Sequence, residues 1–280
     1  MTRSRPLLVA LAACLAAAAP AAASGPAGSL TQLAGNAGCI TDDGTSNALA
    51  SQCADGRGLA GAEAIAVSPD GRFAYTYSYD SGAIAIMTRD PATGALSQAN
   101  DTGACVGPTT IGGDCTDGRF PNKSSDSAHA IVISPDGAFL FAASSTGAMV
   151  SGFRRDTTTG ALTEIAGGGG CISASGNDAD ASNTCTGFSV LSNTQSLAIS
   201  PDGRFLYVGN DSGTIGLAIF SVSPTGELSG LPTPNGCFRP TGDATCTNSR
   251  YANDFYDIAL SGTHSGSHAN GMLARFQVDF

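Results

Sequence analysis

The amino-acid sequence predicts an all-β fold, a β-propeller of four repeat units, on three observations. A Ser-Pro-Asp-Gly core begins at residues 68, 134 and 200, a period of 66 residues. Each core lies between short apolar, β-branched and aromatic runs bounded by turn residues. Eight of the nine cysteines form four local couples that hold the same place in successive units.

The core reads as a turn. Proline presets φ at the second position, the Asp side chain bonds nearby backbone and glycine closes the bend, which favours a type I β-turn. An apolar run leads into each core and an aromatic run leads out, as in Ala64-Ile65-Ala66-Val67 before Ser68 and Phe73-Ala74-Tyr75 after Gly71, so each core is the tip of a β-hairpin. Turn chemistry accounts for every residue of the motif, which makes it a signature of fold and not of activity.

Residues 1–24 read as a signal peptide: Arg3 and Arg5, an Ala-rich apolar stretch, then Ala21-Ala22-Ala23 ahead of Ser24. Leu11-Ala12-Ala13-Cys14 resembles a lipobox, so a lipid anchor at Cys14 is the alternative; against it, apolar residues follow Cys14 where a polar tether is needed. Residues 25–280 form a single propeller domain with repeat cores 63–100, 129–166 and 195–231, and a last core of 256–280 plus 28–35.

In the first unit, strands are expected over 63–67, 73–79, 83–89 and 95–99. The second has 130–133, 139–143, 148–154 and 161–165, and the third 196–199, 205–208, 214–222 and 227–231. Four short antiparallel strands per unit make a propeller blade, with the cysteine loops between blades. The fourth unit is worn. Residues 257–260 repeat the first strand and 272–278 the third, but 261–271 are small and polar. Three glycines there favour a loop around His264 and His268 over a helix that would pair them for metal.

The missing outer strand has a counterpart at the other end of the chain. Gly28-Ser-Leu-Thr-Gln-Leu-Ala-Gly35 before Cys39 matches Gly160-Ala-Leu-Thr-Glu-Ile-Ala-Gly167 before Cys171. The N-terminal strand is therefore expected to complete the last blade and close a circle, leaving no free edge. An open array, or a piece of a larger ring, is the alternative, since propellers run from four to eight blades.

Bulk properties bound the function. About 256 residues remain after cleavage, with no second apolar run long enough to span a bilayer. Loss of Arg3 and Arg5 moves the net charge from −10 to −12, and no basic cluster is present, so nucleic acid is not an expected partner. The repeat selects one disulfide pattern, Cys39–Cys53, Cys105–Cys115, Cys171–Cys185 and Cys237–Cys246. Each bridge closes a short loop and contributes up to ~3 kcal/mol in the loop-entropy model. Cys-x-x-Cys metal spacing is absent. The protein is expected to be extracytoplasmic, secreted or periplasmic.

The hairpin Arg204-Phe205-Leu206-Tyr207-Val208, the turns Thr93-Gly94-Ala95-Leu96 and Thr159-Gly160-Ala161-Leu162, and the Gly-Cys loops resemble bacterial β-propellers of the lactonase-like family. That family includes 6-phosphogluconolactonase-type enzymes and YVTN-type repeat proteins, and the resemblance covers nearly all of residues 28–280. It implies a propeller with a site at the channel mouth built from His, Glu and Arg. The family's enzymes usually have about seven blades and work in the cytoplasm, whereas this chain has four units, a leader and paired cysteines. His129, just before an inner strand, matches the family's histidine placement; a full catalytic set does not carry over.

The repeat nominates its own site. Five residues before each marked serine, at the start of each inner strand, stand Glu63, His129, Gln195 and Tyr256, polar and all different where the frame otherwise stays alike. Glu63 and His129 suit a general base and acid, with Gln195 and Tyr256 as hydrogen-bond donors. The competing reading is four polar groups that plug the channel and satisfy one another.

Arg57, Arg119 and Arg250 each follow the second cysteine of their loop by four residues and are candidates for an anion-binding rim, or for pairing with local acids and carbonyls. Asp42-Asp43 and Asn177-Asp178 with Asp180 are where calcium would bind, but neither has the spacing of a calcium loop, so no cofactor or metal is expected. The functional expectation is an exported module binding a small-molecule ligand or an extracellular protein; the alternative is a lactone or ester hydrolase.

Overall fold

The computed structural model describes residues 29–43, 53–108, 115–118, 129–145, 147–177, 184–211, 216–240, 245–249, 257–261, 264–269 and 272–277. The chain divides into two units, residues 1–33 and 34–280. Residues 29–33 of the first have no regular structure, with Leu30 fully exposed.

In the second unit, β1 (Ile40–Thr41) and β2 (Ala54–Asp55) form a two-stranded parallel sheet. Blade 1 contains β3 (Ala62–Val67), β4 (Phe73–Ser78), β5 (Ala83–Arg89), β6 (Leu96–Gln98), β7 (Cys105–Gly107) and β8 (Thr116–Asp117). Blade 2 contains β9 (His129–Ile133), β10 (Phe139–Ser144), β11 (Met149–Arg155), β12 (Leu162–Glu164), β13 (Cys171–Ser173) and β14 (Thr186–Gly187). Blade 3 contains β15 (Thr194–Ile199), β16 (Phe205–Asn210), β17 (Leu217–Val222), β18 (Leu228–Gly230), β19 (Cys237–Arg239) and β20 (Thr247–Asn248). Blade 4 contains β21 (Asp257–Ser261), β22 (His264–Ala269) and β23 (Met272–Gln277). This is the all-β propeller of four repeat units.

The turn chemistry is met atom by atom. Gly71 N–H donates to Ser68 O at 2.8 Å, and Asp70 Oδ1 accepts from Ser68 Oγ at 2.5 Å and from Arg72 N–H at 3.0 Å. Gly71 has φ +70°, which a residue with a Cβ would hold only under strain. The same bonds recur at Ser134, Asp136 and Gly137, and again at Ser200, Asp202 and Gly203. Ser68, Ser134 and Ser200 are all buried.

The blades are wider than four strands, and the cysteine loops are part of them. In blade 1, β6 pairs with residues 87–89 of β5, while β7 pairs with Ile84 and Ala85 on the rest of that edge. β8 then adds to β7 in parallel. A 3-10 turn at Thr102–Ala104 reverses the chain so that Cys105 returns to its own sheet. Blades 2 and 3 repeat this as β11–β13–β14 and β17–β19–β20. All four expected disulfides form, with Cα–Cα distances of 4.8 to 4.9 Å.

Two expectations about the ends need correction. Residues 29–33 form no strand and 35–38 form a 3-10 turn, so among the described residues no N-terminal strand completes the last blade, whose sheet has three strands. β1 and β2 do repeat the β7–β8 pairing, Ile40 opposite Ala54 as Val106 is opposite Thr116, yet their sheet stops at two strands. The stretch around His264 and His268 is strand β22, not a loop: pairing on both edges, with β21 and with β23, holds its glycine and serines extended.

Packing between successive blades forms the core. At the joint of blades 1 and 2, Phe73, Tyr75, Tyr77 and Ile84 meet Leu140 and Phe153. At the next joint, Phe139, Phe141 and Val150 meet Leu206, Val208 and Phe220. Burying each such side chain contributes about 1.5–3 kcal/mol. The third joint is smaller, with Tyr207 and Leu217 against Ile258. Inner strands neighbour one another in the order β3, β9, β15, β21. Ile65 and Val67 of β3, 62% and 50% exposed, occupy positions whose counterparts Ile131, Ile133, Leu197 and Ile199 pack into the joints.

Candidate functional site

Three of the four nominated positions stand at one end of adjacent inner strands. Glu63 lies in β3, His129 opens β9 opposite Ser144, and Gln195 lies in β15. Glu63 and Gln195 both sit at β-bulges: register shifts between Ala62 and Ala64, and between Thr194 and Ser196. A bulge places two residues opposite one and re-aims the extra side chain. Burial, followed by the nearby Asp80 carboxylate, holds the Glu63 carboxyl above its ordinary value. Tyr256 lies outside the described residues.

Behind this row stands a second one that sequence reading missed. The last residue of the second strand in blades 1, 2 and 3 is polar and buried: Ser78, Ser144 and Asn210. Their spacing is again 66 residues, so the repeat carried the signal; short polar residues at strand ends simply read as turn-formers. Thr194, also fully buried, donates its hydroxyl to Ser144 O at 2.5 Å across the joint between blades 2 and 3. Asn210 Oδ1 accepts from Ser192 N–H at 3.1 Å. The Tyr77 hydroxyl is buried against Ser144, and desolvation pushes its pKa far up. This end of the inner strands is therefore backed by a buried layer of uncharged hydroxyl and amide groups.

Of the three rim arginines, Arg57 lies among the described residues. Arg57 donates from Nη2 to Asn100 Oδ1 at 3.1 Å, and its backbone is clasped by Gln98, whose Oε1 accepts from Arg57 N–H at 2.6 Å and whose Nε2 donates to Arg57 O at 2.9 Å. Arg57 lines a cavity of about 370 Å³ with Asp42, Asp55 and Ser81; Glu63, His129 and Gln195 are not among its lining residues. Asp42 Oδ1 accepts from Leu59 N–H at 2.9 Å, so this carboxylate is occupied in holding the loop. Arg119, Arg250, Asp178 and Asp180 lie outside the described residues.

No protein-family model matches the chain, and no curated protein matches it. Solved structures do share its fold. A protein from Lactobacillus plantarum aligns with a TM-score of 0.50 at 18% identity, over 77% of this chain and 50% of that one. The Pseudomonas aeruginosa periplasmic gluconolactonase aligns at 0.44 with 19% identity, over 80% and 55%. A candidate 6-phosphogluconolactonase from Bacteroides fragilis aligns at 0.39 with 23% identity, over 59% and 36%. The chain thus spans about half the length of the first two and about a third of the last. The likeness is one of fold.

Proposed function

We propose that the protein is an extracytoplasmic propeller that binds a small polar ligand at the start of its inner strands, with Glu63, His129, Gln195 and Tyr256 as the ligand's contacts. The observation that carries this reading is the pair of bulges at Glu63 and Gln195, because a strand interrupts its ladder at a cost and such interruptions gather beside binding sites. Four disulfides support an oxidising compartment. No helix among the described residues is long and apolar enough to cross a membrane. A thermal-shift panel of sugars, sugar acids and lactones tests the reading. Expected is stabilisation by at least one member that is lost in Glu63→Ala and Gln195→Ala; equal response of both variants and wild type removes it.

A second reading has one observation in its favour, the raised carboxyl of Glu63, which makes it a better proton acceptor than an ordinary glutamate. Here Glu63 acts as general base and His129 as general acid in the opening of a lactone or ester. Turnover of a lactone panel that falls in both Glu63→Ala and His129→Ala supports hydrolysis. Intact folding with no turnover across the panel leaves binding.

A further inference from the structure

Arg155, at the end of β11, is a nearly buried arginine between blades 1 and 2. Its Nε donates to Tyr75 Oη at 2.7 Å and its Nη1 to Gly137 O at 3.0 Å, while Nη2 faces Asp70 Oδ2 at 3.5 Å. The guanidinium carbon is 5.1 Å from the centroid of the Phe73 ring, within cation–π range. Carboxylate, carbonyl and aromatic face together make a cradle for a planar cation.

The same cradle recurs between blades 2 and 3, without its arginine. Asp136 follows Asp70, Phe139 follows Phe73 and Gly203 follows Gly137, each 66 residues later. Val222 N–H bonds Arg204 O as Arg155 N–H bonds Ala138 O, so Val222 stands where Arg155 stands. Its short side chain leaves a groove of about 620 Å³ whose lining includes Asp136, Phe139, Gly203 and Val222, together with Asp202 and Arg204, which pair with each other at 2.5 Å. Asp136 Oδ1 is taken by Ser134 Oγ at 2.5 Å and Ala138 N–H at 3.0 Å, as Asp70 Oδ1 is by Ser68 and Arg72. That reserves Oδ2, the oxygen Asp70 turns to Arg155. Phe73 has two guanidinium groups near its ring, Arg72 and Arg155; Phe139 has one, Arg154 at 5.5 Å.

We propose that this groove binds a guanidinium group carried by a ligand, which takes the place Arg155 fills one joint earlier. Asp136 accepts its N–H fork, Gly203 O accepts a further N–H and Phe139 stacks on its face. Phe141 replaces Tyr75 here and offers no hydroxyl, so the ligand's remaining N–H stays in water. The guanidinium belongs either to a small metabolite or to an exposed arginine of another polypeptide.

NMR titration of the full mature chain with ethylguanidinium tests the site, with butylammonium as the control cation. Expected is a saturable shift at the groove residues at millimolar ligand, weaker for butylammonium, and reduced roughly ten- to hundredfold in Asp136→Asn. Val222→Arg should abolish it, because the chain then supplies its own guanidinium. A blocked arginine peptide that binds much more tightly than ethylguanidinium marks a polypeptide source, and equal binding marks a small one. No saturable shift in the folded wild type, or undiminished binding in either folded variant, overturns the proposal.

Discussion

The first two joints of this propeller share one backbone frame and are held in different ways. Between blades 1 and 2, a buried arginine links the turn of one blade to a tyrosine and a carboxylate of the other. Between blades 2 and 3, valine stands at that place, and hydrocarbon does the work, with Phe188 edge-on to Phe220 at 4.9 Å. Arg155 is costly to desolvate, and its Nη2 has only the long Asp70 contact, so the polar joint is specific more than it is strong. The difference shows how a repeat can keep its turn and glycine positions while two substitutions convert a locked joint into an open groove.

The largest expected effect breaks the polar joint. Arg155→Ala removes the guanidinium's hydrogen bonds to Tyr75 Oη and Gly137 O and its packing on Phe73, and should cost about 3 kcal/mol in urea unfolding. A loss no greater than that of a surface substitution would show that the arginine is not a lock. Next come two glycines at which the joints agree. A Cβ on Gly160 would lie 2.4 Å from Phe73, and one on Gly226 would lie 2.5 Å from Phe139, both at positive φ. Gly160→Ala and Gly226→Ala should each cost about 2–3 kcal/mol, equally at the two joints.

Tyr75→Phe gives the first joint the second joint's ring and removes bonds to both Arg155 Nε and Gly160 O; about 1 kcal/mol is expected by the same measurement. The smallest effect is acidic. Asp202 is lowered to about 2 by Ser200 Oγ, with help from Arg204. Its folded value lies below its unfolded value of about 3.9, so its contribution is present above that pH and is lost as pH falls toward 2. Asp202→Asn should therefore flatten the melting temperature between about pH 4 and 2, slightly, since the group is solvated.

Much of the fold was legible because each blade is built by local rules. Ser-Pro-Asp-Gly specifies its turn within four residues, and the cysteine couples are near neighbours in sequence, so period and spacing were enough. The outer edge was less legible: strands of two or three residues such as β7 and β8 carry no alternation, and they form because the sheet and the disulfide present them with an edge. The likeness of 28–35 to 160–167 was real as sequence but gives no strand over the described residues 29–35. The 160s segment has β11 to pair with, through Leu162 opposite Arg155, whereas residues 29–33 have no such pairing.

For the candidate site, the sequence alone determined which residues stand near the start of the first three inner strands, since position in a repeat is counted along the chain. It could not determine that Glu63 and Gln195 are bulged, that Ser78, Ser144 and Asn210 are buried behind them, or that Val222 leaves a groove where Arg155 fills one. Those depend on which blade lies against which, and burial is a property of two surfaces that meet only when distant residues fold together.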